Sequence, residues 1–164
     1  MSKELEKEQL LNRIEVAFED VLRPADEELL HADCSDDMDI VWLHPYKGSW
    51  RELIEGPIEQ ETATLAFLSP KAFQWVLPAY LTYGLSNIDT IQSTLIEDTI
   101  YTLCPQAGLF TFMESKFSCF GIEQQKVVKE FLEFFRDHAS DIAYEGVLEA
   151  GLLYWEKQNG KCSN

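Results

Sequence analysis

The sequence predicts an all-α fold: a single-layered helical assembly of five longer helices and one or two short ones, forming one domain over residues 1–160. Three observations lead there. Apolar residues recur at helical spacing in five separate stretches. Alternation of the kind that marks a half-buried strand is confined to one segment, 105–120. No repeat, low-complexity tract or Gly/Ser linker divides the 164 residues, a length that suits one core. A chain of this size buries about 70% of the surface it exposes when unfolded, so it needs no staples.

The first helix is read over residues 3–22. Leu10, Ile14, Ala17, Phe18 and Val21 share one face, and Glu4, Glu6 and Glu8 complement the positive end of the dipole. Arg23-Pro24 stops it, because a residue before proline is driven out of the α region. Residues 24–30 can open a short helix, with proline first and acids in its first turn. A polar acidic loop follows, Asp33-Cys34-Ser35-Asp36-Asp37-Met38-Asp39. Ile40-Val41-Trp42-Leu43 reads as a short strand or a buried extended segment, which periodicity does not resolve. His44 to Gly48 form a turn. Ser49 caps a short helical turn through Leu53 and Ile54, and Gly56-Pro57 breaks it.

Residues 69–85 carry the clearest helical signal. Ser69 is a good N-cap and Pro70 occupies the first helical position. Phe73, Val76, Leu77, Tyr80, Leu81 and Gly84 form one face, which Trp75, Ala79 and Tyr83 broaden, so the helix should be largely buried. Pro78 inside it costs about 3 kcal/mol in isolation, and a kink near Gln74–Pro78 is expected. Asp89 is a candidate cap for a helix over 90–103, with Ile91, Leu95, Ile96, Thr99 and Leu103 inward and Cys104-Pro105 ending it. The aromatic-rich 105–120 allows either a short hairpin or a buried loop. Gly121 opens a helix to about His138 with Val128, Phe131, Leu132 and Phe135 as its stripe. Ser140 or Asp141 starts the last helix, carrying Tyr144, Leu148, Gly151, Leu152 and Trp155 and closed by Gly160. Residues 161–164 read as a disordered tail.

Charge is the most unusual property. Twenty-nine Asp and Glu face thirteen Lys and Arg, a net charge of −16. Phosphate backbones and anionic lipid surfaces repel such a chain, so neither nucleic acid nor membrane is an expected partner. The opening residues lack the apolar run of a signal peptide, and no stretch is long enough for a transmembrane helix. Cys34, Cys104, Cys119 and Cys162 form no C-x-x-C pair and read as free thiols of a cytoplasmic protein. A Cys104–Cys119 disulfide is not favoured.

Three stretches, Phe67-Leu68-Ser69-Pro70-Lys71-Ala72-Phe73 through Leu77-Pro78-Ala79-Tyr80-Leu81, Ile122-Glu123-Gln124-Gln125 through Phe131-Leu132, and the closing Tyr154-Trp155, resemble a family of small, functionally uncharacterised bacterial proteins. The resemblance spans roughly residues 10–156. It implies a bacterial cytosolic protein and carries no activity.

Chemistry is sparse. Asp33, Asp36, Asp37, Asp39 and His44 could hold a hard cation, but the glycine and closing glutamate of an EF-hand loop are missing, and a solvated acidic loop is the simpler reading. His138 with Asp141 could be an oriented acid–base pair, although a histidine there also complements a helix C-terminus. Asp98 beside Glu97 lacks the spacing to flank a substrate. No G-x-S-x-G elbow occurs, and the acids around Cys34 oppose a thiolate. Eight scattered glycines make neither a phosphate-cradling loop nor a dinucleotide fingerprint. No catalytic residue, metal or cofactor is therefore assigned.

What stands out is the distribution of charge. Glu19 to Asp39 contain nine acids and one base, Arg23, half of the chain's net charge, and Trp42, Tyr46 and Trp50 follow at once. Carboxylates would speed encounter with a basic protein and aromatics would anchor it. The sequence thus points to a non-enzymatic acidic protein-binding module, in its narrowest form a bacterial immunity or inhibitor protein for a basic partner, docking through Asp33, Asp36, Asp37, Asp39, Trp42, Tyr46 and Trp50. An enzyme with a site assembled from distant residues is the alternative. A homo-oligomer using Trp75 or Phe134, the aromatics least explained by a single core face, is the third reading.

Overall fold

The computed structural model describes residues 1–90, 93–105, 110–144 and 146–161. It is all-α, with five helices of ten residues or more among the described residues: α1 (Lys3–Ala17), α3 (Pro70–Ser86), α4 (Thr94–Leu103), α6 (Ile122–His138) and α7 (Val147–Lys161). Two shorter helices, α2 (Thr64–Phe67) and α5 (Phe110–Lys116), complete the set, with 3-10 turns between them. Among the described residues there is no strand, only an isolated antiparallel bridge between Leu30 and Leu68. Among the described residues no helix is long and apolar enough to cross a membrane.

The centre is α3. Ser69 accepts the Ala72 N–H at 3.2 Å and Pro70 starts the helix, as its sequence requires. Helices α1, α4 and α5 and the 3-10 turn Trp50–Glu55 all pack on it. Trp75 and Pro78 are buried within it, and the Trp75 indole donates to the Gly48 carbonyl at 3.2 Å.

Helix α1 ends at Ala17, five residues before the expected stop. Two carbonyls that would extend it are taken by distant side chains. Gln124 donates to Ala17 O at 3.0 Å and the Trp50 indole to Phe18 O at 3.2 Å. The Gln124 amide thus stands in for the next helical N–H at Ala17 O, while Phe18 O shares the Trp50 indole with the Val21 N–H of a tighter turn at 3.2 Å. The stretch 24–30 contracts to the 3-10 turn Asp26–Glu28. Ile40-Val41-Trp42-Leu43 is no strand: a 3-10 turn, Val41–Leu43, puts Ile40 and Leu43 on one side, both buried. The expected turn capped by Ser49 is present, its hydroxyl accepting the Arg51 N–H.

Helix α4 starts at Thr94 rather than 90: Ser93 before it is extended, and the expected cap Asp89 has its carboxylate paired with Lys3 at 2.5 Å. Its expected inward residues Leu95, Ile96, Thr99 and Leu103 are buried, while Ile91 lies outside the described residues. The hairpin allowed over 105–120 is replaced by α5 and a turn, residues 106–109 lying outside the described ones. The aromatics there serve packing: Phe117 and Phe120 meet Phe73 at 5.8 and 5.9 Å, and Phe117 meets Trp155 at 4.8 Å.

Helix α6 opens at Gly121 as expected, and Phe134 joins its buried stripe. The last helix begins at Val147, not Ser140. Residues Ser140–Ile142 form a separate 3-10 turn, and Gly146 takes a left-handed φ of 85° that breaks the run. Tyr144 is consequently 79% exposed instead of inward. Helix α7 passes through Gly160 to Lys161, so that part of the expected tail is helical; residues 162–164 lie outside the described ones. Gly151 lets α7 close on α6 and the end of α4: a Cβ there would meet Cys104 Sγ and, at 3.3 Å, Leu132.

Candidate functional site

Main-chain bonds moor the acidic loop at its first end. His31 N–H donates to Phe67 O at 2.7 Å and Ser69 N–H to Leu29 O at 2.9 Å. Buried Ile40 and Leu43 hold the other end. Between these anchors Asp33, Asp36 and Asp37 are exposed, and Asp39 is half-buried with its carbonyl accepting the Thr64 hydroxyl at 2.8 Å. Asp36 accepts the Met38 N–H at 3.0 Å, which shapes the turn. The Asp33 backbone N–H donates to His31 Nδ1 at 3.2 Å, while its carboxylate lies 3.8 Å from that nitrogen, too far for a hydrogen bond. Among the described residues no Lys or Arg pairs with any of these four aspartates, whereas cations elsewhere are engaged: Lys3 with Asp89, Lys47 with Asp26, Lys126 with Glu123. Met38 (71%) and Val41 (51%) are exposed beside them.

The three aromatics separate. Trp42 is half-buried, donates to Thr64 Oγ1 at 2.9 Å and meets Tyr46 edge-to-face at 5.9 Å. These two stay at the surface. Trp50 is only 2% exposed, with its indole on Phe18 O and Arg51 over its ring at 4.9 Å, so it is core and no contact for a partner. Trp75 and Phe134 are buried as well, which removes the surface that the homo-oligomer reading used. Met38 and Val41 are the apolar contacts that sequence reasoning missed; nothing in their spacing sets them apart from core residues.

The acidic stretch from Glu19 to Asp39 is not uniformly free. Asp26 bridges Lys47 at 2.8 Å and Arg23 at 2.5 Å. Hydrogen bonds from Lys47 and then Arg23 hold its carboxyl at about 2. Glu28 is lowered by the Ala25 N–H and then by Lys71. The segment is therefore neutralised in its middle. Asp20 lies free of Lys or Arg on one side of that middle, and the 33–39 loop on the other, among the described residues.

The catalytic and metal candidates do not assemble. His138 Nε2 lies 2.7 Å from Glu6, tying α6 to α1, and does not meet Asp141. Burial, then Glu97, raises Asp98. Burial pushes the Cys104 thiol up to about 12, an inert group. Cys34, Cys104 and Cys119 are free thiols. No group of three or more potential ligands gathers among the described residues.

Two features were not legible. Lys116 is fully buried, its ammonium donating to the Ala66 and Leu68 carbonyls at 2.8 and 3.0 Å and lying 4.5 Å from the Phe112 ring. Burial lowers it to about 8, against a smaller opposing influence of Cys34. The second is a cleft of about 560 Å³ where the end of α1 meets α3 and α6, lined by Ala17, Asp20, Leu22, Lys71 and Gln124 among others. A smaller cleft of about 370 Å³ between α1 and α6 shares Val16 and Ala17 with it.

The model of a protein family described as a family of unknown function (DUF6714) matches residues 6–159. No curated protein matches the chain. No solved structure matches it either.

Proposed function

The chain belongs to this family of unknown function, and from that premise we propose that it is a non-enzymatic acidic module that docks a basic protein through the 33–39 loop. One observation carries the reading: Asp33, Asp36 and Asp37 stand exposed beside exposed Met38 and Val41, with no lysine or arginine of the described residues paired to them. Unscreened carboxylates raise the encounter rate with a positive patch, and the methionine offers an adaptable apolar contact. Trp42 and Tyr46 extend the apolar part of the surface. In its narrowest form the protein is a bacterial, cytoplasmic immunity or inhibitor protein that covers the positive cleft of a nuclease-like partner.

Capture from the native cell tests this. The full chain is expected to retain a basic protein that elutes as salt rises, and the triple variant Asp36→Lys, Asp37→Lys, Asp39→Lys is expected to lose it. Equal retention by both chains would remove the loop from the interface.

A further inference from the structure

Lys116 carries a charge that its surroundings do not match. An ammonium has three N–H bonds, and two of them meet the Ala66 and Leu68 carbonyls at 2.8 and 3.0 Å. The Phe112 ring lies 4.5 Å away. No Asp or Glu pairs with the ammonium among the described residues, although the side chain is wholly buried and buried charges are normally paired. Burial lowers it only to about 8, so at pH 7 it is still charged. One N–H and most of the charge are left for an anion.

The ionisable group whose charge reaches it is the Cys34 thiol. The backbone explains why the two meet. The chain turns at 31–34, where the Cys34 N–H donates to His31 O at 2.9 Å, and the His31 N–H is moored to Phe67 O, between the two carbonyls that hold Lys116. The His31 ring lies 5.1 Å from Phe112, the ring that also faces Lys116. Cys34 is half-buried, so small reagents reach it. Asp33, Asp36 and Asp37, which in the sequence oppose a thiolate, are exposed and screened by water, whereas the ammonium acts from the interior, where charges are felt more strongly. The other described thiols differ. Cys104 is buried and pushed up to about 12. Cys119 lines the cleft at the end of α1, where Arg23 and Lys71 are already paired with Asp26 and Glu28.

We propose that Cys34 is an oxidation site, at which hydrogen peroxide forms a sulfenic acid whose anion Lys116 holds. The thiolate is the nucleophile, and a fixed cation beside it favours that form. Its sulfur attacks one peroxide oxygen: an S–O bond forms, the O–O bond breaks, and the second oxygen leaves as hydroxide. Sulfur gives up two electrons and the peroxide takes the same two. Loss of the sulfenic proton to solvent leaves an oxyanion that accepts the third N–H of Lys116. The site lies inside the 33–39 loop but does not depend on what that loop docks.

The test treats the full chain at pH 7 with less than one equivalent of hydrogen peroxide in the presence of dimedone, which traps sulfenic acids, and quantifies each cysteine by mass spectrometry. Labelling of Cys34 should exceed that of Cys119 by about fivefold or more, and Lys116→Met should remove the excess. Cys104 is the folding control, since it labels only if the core has opened. Equal labelling of Cys34 and Cys119 would overturn the proposal, as would undiminished labelling of Cys34 in a folded Lys116→Met chain. Should that variant open the core, the natural chain decides by itself. With isotope-labelled lysine, peroxide should move the Lys116 Nζ resonance, and Cys34→Ser, a conservative change at a half-buried position, should abolish the movement. A resonance that peroxide leaves in place, or moves equally in Cys34→Ser, would show that the two side chains do not pair.

Discussion

Gln124 donates through Nε2 to the Ala17 carbonyl at 3.0 Å, a bond between residues 107 apart in sequence that finishes α1 from the opposite end of the chain. The same side chain accepts the Gly121 N–H at 3.2 Å and the Gln74 amide at 2.8 Å. One residue thus caps α6, ends α1 and braces α3. Replacing it with Met keeps the volume but leaves the Ala17 carbonyl and the Gly121 N–H without a donor or acceptor. Gln124→Met should cost about 1–3 kcal/mol in urea unfolding. A loss within experimental error would show that water replaces these bonds.

Lys116 is the one ammonium of the described residues that is wholly buried. Burial lowers it from 10.5 to about 8, so between pH 8 and 10.5 the unfolded chain holds a proton that the folded chain has released. Stability contributed by this group therefore rises with pH across that window. The unfolding free energy of the natural chain minus that of Lys116→Met should increase from pH 7 to pH 10. A flat difference would mean that the amine titrates as if exposed.

Asp26 has the opposite sign. Lys47 and Arg23 lower it from 3.8 to about 2, so its contribution is complete above pH 4 and disappears as the pH falls through 2. The stability difference between the natural chain and Asp26→Asn should shrink over that interval in acid titrations read by circular dichroism. A difference that persists unchanged to pH 2 would contradict the pairing.

Gly151 brings α7 against Cys104 and Leu132. An alanine has no room without moving a buried side chain, and such overpacking costs about 1–3 kcal/mol. Gly151→Ala should lower the thermal midpoint, and Cys104→Ala in the same chain should restore part of it by opening space. Additive losses would show that the two residues do not compete for one volume.

The fold was largely readable because its helices announce themselves locally. Ser69-Pro70 marks the start of α3, Gly121 that of α6, and the stripes of both are buried as spaced. Helix ends set by distant partners were not readable. Nothing near Ala17 signals that Gln124 and Trp50 will end α1, and nothing near Asp89 signals Lys3. Short apolar runs misled for a related reason: Ile40 and Leu43, like Phe117 and Phe120, are buried three residues apart through turns, where the period of two or 3.6 has no room to show. At the candidate site the aspartates were visible as charge, but whether each is free depends on where the cations land. Asp26 and Glu28 found partners, and Asp33, Asp36, Asp37 and Asp39 did not find a Lys or Arg among the described residues. Trp50 looked like Trp42 in sequence, and only packing separated core from surface.

The account turns on the 33–39 loop as an electrostatic docking surface. The most direct measurement is the association rate of the full chain with its captured partner, by stopped flow, across ionic strength. The rate should fall steeply as salt rises, and the reversals Asp36→Lys, Asp37→Lys and Asp39→Lys together should slow it by about tenfold or more at low salt. An association rate indifferent to both salt and the three reversals would contradict the account.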